Sequence, residues 1–524
     1  MFVSLKQCLT DAYKLDIYKQ KLLFYKLELI YYLQEELYMN WTKLLCTDRI
    51  RSYQKSTISR DLRTEFEKDY HRIIGSASFR RLQDKTQVFP LDKSDYVRTR
   101  LTHSLEVSSF AKSLSQNVGE RIIQDHLDSD FTVKNKEDIS NILQCAGLLH
   151  DIGNPPFGHF GETTIRDWFE NNLKKLQYKG RSLEEYLEPQ MVQDFYHFEG
   201  NAQALRLVTK LHFLVDENGM NLTKALLGTI IKYPVSSLEI DKKSGNIKTK
   251  KMGYFYADRE NFKNIQESLE LHGDRHPLTY LLEAADDIAY KTADIEDSVE
   301  KGNISYNQLV KELEERCTKS ILLSNPFLEE KDLEIKIMES QYGRLIAVLK
   351  HKYEKALKNG YQKPEIYAVQ NWVVSIQGSL IFAASDNFIK NYDEIMTGIY
   401  KYDLFHDTNV KDLMDDLGDI AYQYSFISKP IFKLEVAAQT ILEFLLNKFV
   451  EAIIYYDTDE KISSVQERMI ALISKDYMRI YKKESEGKSE KEKLYLRLML
   501  VTDYICGMTD SFAKDLYQEL NGIV

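Results

Sequence analysis

Apolar residues recur every three or four positions through most of this chain, which is the spacing of one face of a helix. The pattern predicts helices at 101–118, 139–150, 165–176, 201–211, 278–300, 307–354 and 365–400. Residues 235–252, rich in Lys, Ser and Gly, predict a loop or a short hairpin. The charge run at 482–493 predicts a solvated loop.

Turn-forming residues are few, which favours helices over strands. The chain has 22 glycines and 9 prolines in 524 residues, too few for the many turns of a sandwich, barrel or propeller. We therefore predict an all-α fold. Residues 1–38 form a predicted N-terminal extension with an amphipathic helix at 21–38, or a mis-assigned start. The second interpretation is slightly favoured, because the text from Met39 reads as a natural protein start.

Charge and cysteine content bound the class of protein. A formal charge of −10 gives no global basic field for nucleic acid. The five cysteines contain no C-x-x-C pair, which is typical of a reducing compartment. No run of 18 uncharged apolar residues and no signal-peptide pattern occur, so we predict a cytoplasmic protein without a membrane span.

Four residues form a candidate metal site. The pair His150-Asp151 carries little weight alone. It gains weight from His103 in a predicted amphipathic helix, and from Asp286 and Asp287 inside an apolar helical run, where a carboxylate is costly unless it is paired or binds a metal. Imidazoles and carboxylates together suit Mn²⁺, Fe²⁺, Co²⁺ or Zn²⁺, and Mg²⁺ less naturally.

A second pair, His159 and Glu162, lies three residues apart at a predicted helix start. At that spacing the side chains can touch, and a carboxylate then fixes the imidazole tautomer and raises its basicity. A capped helix terminus is the structural alternative for this pair.

Six stretches carry a resemblance to a known family. They are RRLQDKTQVFP (80–90), RTRLTHSLEV (98–107), GLLHDIGNPPFGHFGE (147–162), FEGNAQALR (198–206), HPLTYLLEAADDIAY (276–290) and DYICGMTDSFA (503–513). The chain resembles the deoxyguanosinetriphosphate triphosphohydrolases (dGTPases), within the HD superfamily of metal-dependent phosphohydrolases. The resemblance implies an HD-domain catalytic core at 39–330. Additional C-terminal helices at 331–524 would complete the pocket and the oligomer contacts.

The resemblance also implies roles for individual residues. The metal ligands would be His103, His150, Asp151 and Asp286, with Asp286 preferred to Asp287 because Tyr290 and Asp294 follow it on one helical face. His159 and Glu162 would be catalytic. The substrate-binding residues would be Gln87, Arg100, Asn201, Lys232, Tyr233, Lys251, Tyr290 and Asp294. The position of Lys251 is open, because Lys248 and Lys250 are neighbours.

The implied reaction is hydrolysis of dGTP to deoxyguanosine and inorganic triphosphate, by attack of a metal-activated water on the α-phosphorus. The resemblance implies Mn²⁺ or Mg²⁺ as cofactor and a homo-oligomer, a hexamer or a tetramer. It leaves room for a nucleotide or single-stranded DNA effector.

Three alternatives stay open. The first is a triphosphohydrolase of broad dNTP specificity that is activated by a nucleotide at a second site. The second is an HD phosphodiesterase or alarmone hydrolase, which should lack the HFGE and ADDIAY text. The third is a nucleic-acid-binding regulator on an HD scaffold, which the −10 charge disfavours.

Overall fold

The computed structural model describes residues 38–51, 61–87, 98–212, 218–427 and 429–523. Within these ranges the protein is helical, as predicted, with one two-stranded sheet. The amphipathic segment predicted at 21–38 lies outside the described residues except for Tyr38.

The first half of the described chain holds twelve α-helices and the short sheet. The helices are α1 (Trp41–Leu44), α2 (Glu65–Ile74), α3 (Ala77–Arg80), α4 (Arg100–Gln124), α5 (Val133–Leu149), α6 (Gly158–Asn172), α7 (Leu183–Tyr186), α8 (Pro189–Tyr196), α9 (Gly200–Arg206), α10 (Lys224–Ile230), α11 (Arg259–Leu269) and α12 (Pro277–Glu300). Strands β1 (Gln177–Tyr178) and β2 (Arg181–Ser182) pair antiparallel, with Gln177 opposite Ser182.

The remaining α-helices are α13 (Tyr306–Ser324), α14 (Glu330–Glu339), α15 (Gln341–Lys358), α16 (Pro364–Lys390), α17 (Tyr392–Met396), α18 (Lys411–Ala421), α19 (Lys429–Ile453), α20 (Ser464–Ala471), α21 (Lys475–Ser485), α22 (Glu490–Cys506) and α23 (Asp510–Leu520). Short 3-10 turns occur at Arg81–Asp84, Ile247–Thr249 and Tyr256–Asp258, and π-helical turns at Leu207–Leu211 and Tyr422–Phe426.

Local sequence fixes where the site-bearing helices begin. The Thr99 hydroxyl accepts from the backbone N–H of Thr102, whose side chain returns a hydrogen bond to Thr99, so α4 starts with a capping box. Helix α12 starts at Pro277. Backbone N–H groups in the first turn of a helix have no acceptor within the helix, so a proline, which lacks this group, is tolerated there. These starts set the register that turns His103 and Asp286 inward.

The core is formed by long helices packed side by side. Helices α4 and α5 lie along each other, and α12 packs on α4, α16 and α18. The buried apolar residues form one cluster that extends from Met39 to Leu516. The predicted regions 39–330 and 331–524 thus share this core, and their separation stays a prediction.

Helix α16 is, among the described residues, the one helix long and apolar enough to cross a membrane by length and composition. Its side chains Trp372, Ile376 and Leu380 are fully buried. The helix packs on α4, α12 and α15, which is the environment of a core helix.

Two predicted loops differ in outcome. Residues 235–252 form a loop with one 3-10 turn and no hairpin. The solvated loop predicted at 482–493 is wrong: these residues end α21 and begin α22, and four residues alone connect the helices. Glu484 within this run accepts from the buried Arg206 at 3.0 Å, so part of the charge run anchors the core.

Candidate active site

Three elements bring the predicted metal ligands together. His103 lies in the first turn of α4, His150 and Asp151 directly follow α5, and Asp286 lies in the middle of α12. One donor atom from each of His103, His150 and Asp151 lies within 4.8 Å of the others. Asp286 Oδ1 lies 3.3 Å from His103 Nε2 and 3.5 Å from His150 Nε2.

The orientation of His150 fits a metal ligand. Its Nδ1 lies 2.7 Å from the Gly147 carbonyl oxygen, which fixes the proton on Nδ1. Its Nε2 is buried and has no hydrogen-bond partner among the described residues. That atom faces carboxylate oxygens of Asp151 and Asp286 at 3.5 Å. Burial lowers the pKa of His150, so the ring presents a neutral lone pair to the centre of the cluster.

The carboxylates of the cluster are ionised. Burial opposes ionisation, but the charge of Arg100 lowers the pKa of Asp151 to about 2. The charge of Lys232 likewise overcomes burial and holds the pKa of Asp286 well below its usual range. Two anionic oxygens and two imidazoles around one point are a donor set that accepts a divalent cation.

The turn after α5 is held by residues that the sequence analysis did not single out. Asn154 Nδ2 donates to Asp151 Oδ1 at 2.6 Å. The buried Lys85 ammonium donates to the carbonyl oxygens of Asn154 and Cys506, at 2.6 and 2.7 Å. Lys85 therefore ties the turn after α5 to the end of α22, and it lies in the quoted stretch 80–90.

Glycine is required in this turn for close approach. A Cβ on Gly153 would lie 2.1 Å from the backbone nitrogen of Ala204. Gly158 adopts φ +62°, and a Cβ there would lie 2.3 Å from Arg100 Nη2. The glycines of HDIGNPPFG thus let α6, α9 and Arg100 pack directly against the turn.

His159 and Glu162 are in contact, as their spacing predicts. His159 Nδ1 lies 3.0 Å from Glu162 Oε2, and the His159 side chain is 77% exposed. Glu162 is buried, and its Oε1 accepts from the Gly200 N–H at 2.7 Å. Although burial opposes ionisation, the hydrogen bond from His159 lowers the pKa of Glu162. The pair is a fixed carboxylate that orients an exposed imidazole.

A cavity of about 790 Å³ is lined by Asp151 and Asp286 of the predicted metal cluster and by His159 and Glu162. Seven of the eight predicted substrate-binding residues line it: Gln87, Arg100, Asn201, Lys232, Tyr233, Lys251 and Tyr290. The eighth, Asp294, does not line the cavity and is buried one helical turn after Tyr290 on α12. Burial, and then the charge of Asp297, raise the pKa of Asp294 to about 8.

The structure shows which of the three neighbouring lysines, Lys248, Lys250 and Lys251, lines the cavity. Lys251 lines the cavity. Lys248 instead donates to Asp274 at 2.7 Å, outside the cavity, and Lys250 is exposed. The roles of all these residues remain predictions, but the structure brings them to one place.

A further part of the cavity lining comes from residues that no motif indicated. They are Gly418, Asp419, Tyr422, Phe426, Ile431 and Glu435. Tyr422 and Phe426 bound the π-helical turn that continues α18. Two aromatic residues four positions apart, Tyr422 and Phe426, and an acid on the next helix, Glu435, do not form a distinctive sequence pattern. The sequence therefore offered no signal for this part of the cavity.

Comparisons with known proteins show which family the chain is similar to. A model of the HD domain matches residues 100–228, from α4 to α10. A Listeria monocytogenes relative, named deoxyguanosinetriphosphate triphosphohydrolase-like protein, is 50% identical over 93% of this chain and 100% of its own length. A Klebsiella pneumoniae deoxyguanosinetriphosphate triphosphohydrolase is 31% identical over 93% of this chain and 98% of its own length. A Synechocystis relative with the same name as the Listeria protein is 31% identical over 93% of this chain.

Proposed function

The chain belongs to the deoxyguanosinetriphosphate triphosphohydrolase family of HD-domain proteins, and from that premise we propose that it hydrolyses dGTP to deoxyguanosine and inorganic triphosphate. The observation that carries the proposal is the unpartnered His150 Nε2, which faces two carboxylates at the end of a cavity lined by three cations.

The residues that would hold the metal are His103, His150, Asp151 and Asp286. A bound divalent metal ion supplies positive charge to the phosphate and lowers the pKa of water. Two imidazoles and two carboxylates fit Mn²⁺ better than Mg²⁺, which prefers oxygen ligands alone. We therefore propose Mn²⁺ as the preferred metal, with Mg²⁺ second.

We call the side of the cavity formed by Arg100, Lys232, Tyr233 and Lys251 the phosphate wall. These groups offer three positive charges and a phenol to a triphosphate that carries about four negative charges. They would hold the phosphate chain so that the α-phosphorus faces His159. Phosphoryl transfer depends mainly on such positioning and on charge stabilisation.

His159 would move the proton. Water adds its oxygen to the α-phosphorus, and the bond from phosphorus to the 5′ oxygen breaks. The 5′ oxygen takes up one proton as deoxyguanosine leaves, and the triphosphate keeps its remaining bonds. Glu162 contacts Nδ1 of His159, which leaves Nε2 free to exchange this proton.

Gln87 and Tyr290 also line the cavity, and the sugar would bind beside them. The buried Asp294 follows Tyr290 by one turn of α12 and would help to orient it. We propose that these side chains contact the deoxyribose.

We call the part of the cavity lining formed by Asp419, Tyr422, Phe426, Ile431 and Glu435 the base wall. Its aromatic rings offer faces on which a purine can stack. Glu435 can accept from two adjacent N–H donors, which guanine presents on its Watson–Crick edge and adenine does not. This chemistry favours dGTP over the other dNTPs.

A product assay tests the proposal. The purified full chain would receive each dNTP and GTP separately, with Mn²⁺ or Mg²⁺, with and without a second nucleotide or single-stranded DNA. We expect deoxyguanosine and triphosphate from dGTP. Cleavage of several dNTPs, or cleavage that requires an added nucleotide, would instead support the regulated broad-specificity enzyme. No triphosphate from metal-loaded protein would refute the chemistry.

We also propose a homo-oligomer that works in the cytoplasm. Leu323, Phe327 and Met338, on α13, α14 and their connection, are exposed by 74 to 96%. Large apolar side chains grouped at the surface are typical of a protein contact. Light scattering of the purified chain measures the assembly, and a monomer would refute it.

A further inference from the structure

Each of the three cations of the phosphate wall has a carboxylate partner. The pairs are Arg100 with Asp151, Lys232 with Asp286, and Lys251 with Glu199. Two of these carboxylates belong to the predicted metal cluster. Glu199 does not, and neither the family resemblance nor the predicted reaction gives it a role.

The Glu199 carboxylate binds two predicted substrate-binding residues at once. Its Oε2 lies 2.9 Å from Lys251 Nζ, and its Oε1 accepts from Lys251 Nζ at 3.1 Å and from Asn201 Nδ2 at 2.7 Å. Glu199 is 2% exposed and precedes α9 in an extended conformation. A buried carboxylate of this kind holds its partners in one geometry, because releasing either would leave it unsatisfied.

Both partners keep donors for a ligand. An ammonium carries three N–H groups and a carboxamide two. Hydrogen bonds to Glu199 use one of those on Lys251 and one on Asn201, and both side chains line the cavity. A free lysine would lose side-chain entropy when it binds phosphate, and the contact with Glu199 has already removed most of that freedom.

We propose that Glu199 is a positioning residue for the phosphate chain, which holds Lys251 and Asn201 so that their remaining donors face the cavity. The inference rests on the proposed function, because it takes a triphosphate as the ligand of Lys251. It assigns to Glu199 an effect on triphosphate binding and none on the chemical step.

The test is binding of inorganic triphosphate to the full chain by titration calorimetry in excess Mg²⁺. We expect Glu199→Gln to weaken this binding on the order of tenfold, the usual effect of losing one charge-assisted contact. The KM for dGTP should rise by a similar factor, while kcat stays within about twofold, since the lost contact is equal in substrate and transition state. Glu260→Gln, on the surface of α11, is the matched control.

A double-mutant cycle separates positioning from general damage. If Glu199 acts through Lys251, Glu199→Gln should have little further effect on triphosphate binding in a Lys251→Met background. A full effect in that background would overturn the proposal. Unchanged or tighter triphosphate binding by Glu199→Gln alone would also overturn it, because the carboxylate would then merely repel the ligand.

Two further measurements keep the result interpretable. Glu199→Asp retains the charge but shortens the reach, and we expect an intermediate loss of triphosphate affinity even if Glu199→Gln folds poorly. Wild-type protein that neither binds triphosphate nor cleaves dGTP would refute the proposed function and this inference together. If the wild-type protein binds triphosphate and cleaves dGTP, and Glu199→Gln binds triphosphate equally well, the inference alone would be refuted.

Discussion

The phosphate wall and the base wall face the same cavity but are built differently. On the phosphate wall each cation is matched to a carboxylate, and the matching acids Asp151, Asp286 and Glu199 are themselves held by further contacts. On the base wall Tyr422 is 61% exposed and Glu435 is half-buried. One side is an arranged electrostatic site, and the other is an open aromatic surface.

The difference implies a division of labour. Charges that must stabilise a reacting phosphate need fixed positions, because small displacements cost much of their effect. A base needs only a stacking surface and one or two directional contacts. We therefore expect substitutions on the phosphate side to change rate, and substitutions on the base wall to change which nucleotide is accepted.

The largest effect should come from the metal cluster. We expect His150→Ala to lower dGTP hydrolysis on the order of a thousandfold or more, because losing the metal removes several kcal/mol of charge stabilisation. Metal content by mass spectrometry should fall with the activity, while circular dichroism stays helical. His351→Ala, at an exposed position of α15, is the control. Full metal content in an inactive His150→Ala would contradict the assignment of this histidine as a ligand.

The next effect should come from the proton-transfer pair. We expect Glu162→Gln to lower kcat by about 10² to 10³ with the KM for dGTP little changed. If the new amide oxygen accepts from Gly200, the amide N–H₂ faces His159 Nδ1, and the ring is forced into the wrong tautomer. Bound metal should be unaffected. Glu170→Gln on the same helix is the control, and an equal loss there would point to damage of α6.

The base wall should give a change of specificity rather than of rate. We expect Glu435→Gln to reduce the preference for dGTP over dATP roughly tenfold or more in kcat/KM, because the amide can accept from only one of the two guanine donors. Competition assays with both nucleotides measure this ratio. Glu451→Gln, exposed on the same helix, should leave it unchanged. An equal loss of activity on every dNTP would break the distinction between the walls.

The same distinction explains what the sequence could predict. The phosphate side requires particular backbone turns and close contacts, so glycines and charged residues accumulate in stretches such as 147–162, and their geometry follows. Helical spacing likewise predicted α12 to within one residue and the start of α4, which ends six residues later than predicted. Tyr422 and Glu435 were missed because they meet the cavity through tertiary packing alone. Glu484 was misread because its partner Arg206 is 278 residues away in the chain.

The smallest expected effect is on the stability of the fold, and it concerns the pH dependence caused by the buried Asp194. Asp194 on α8 accepts from the hydroxyls of Ser237 and Tyr495 at 2.6 Å and from the Tyr256 N–H at 2.7 Å. Burial raises the pKa of this carboxyl to about 7, above about 3.9 in an unfolded chain. The folded state therefore holds the extra proton between these values, and its stability falls as the pH rises from about 4 to about 7.

Asp194→Asn isolates this contribution, because the amide cannot ionise. The wild-type Tm minus the variant Tm should fall between about pH 5 and pH 7 and level off above that, while Asp167→Asn, an exposed acid on α6, shows no such slope. Thermal melts across this range measure the difference. A difference that instead rises with pH would mean that the three donors outweigh burial and keep Asp194 ionised. The fold around Asp194 would then rest on a fixed charge, like the phosphate wall, rather than on a protonated acid.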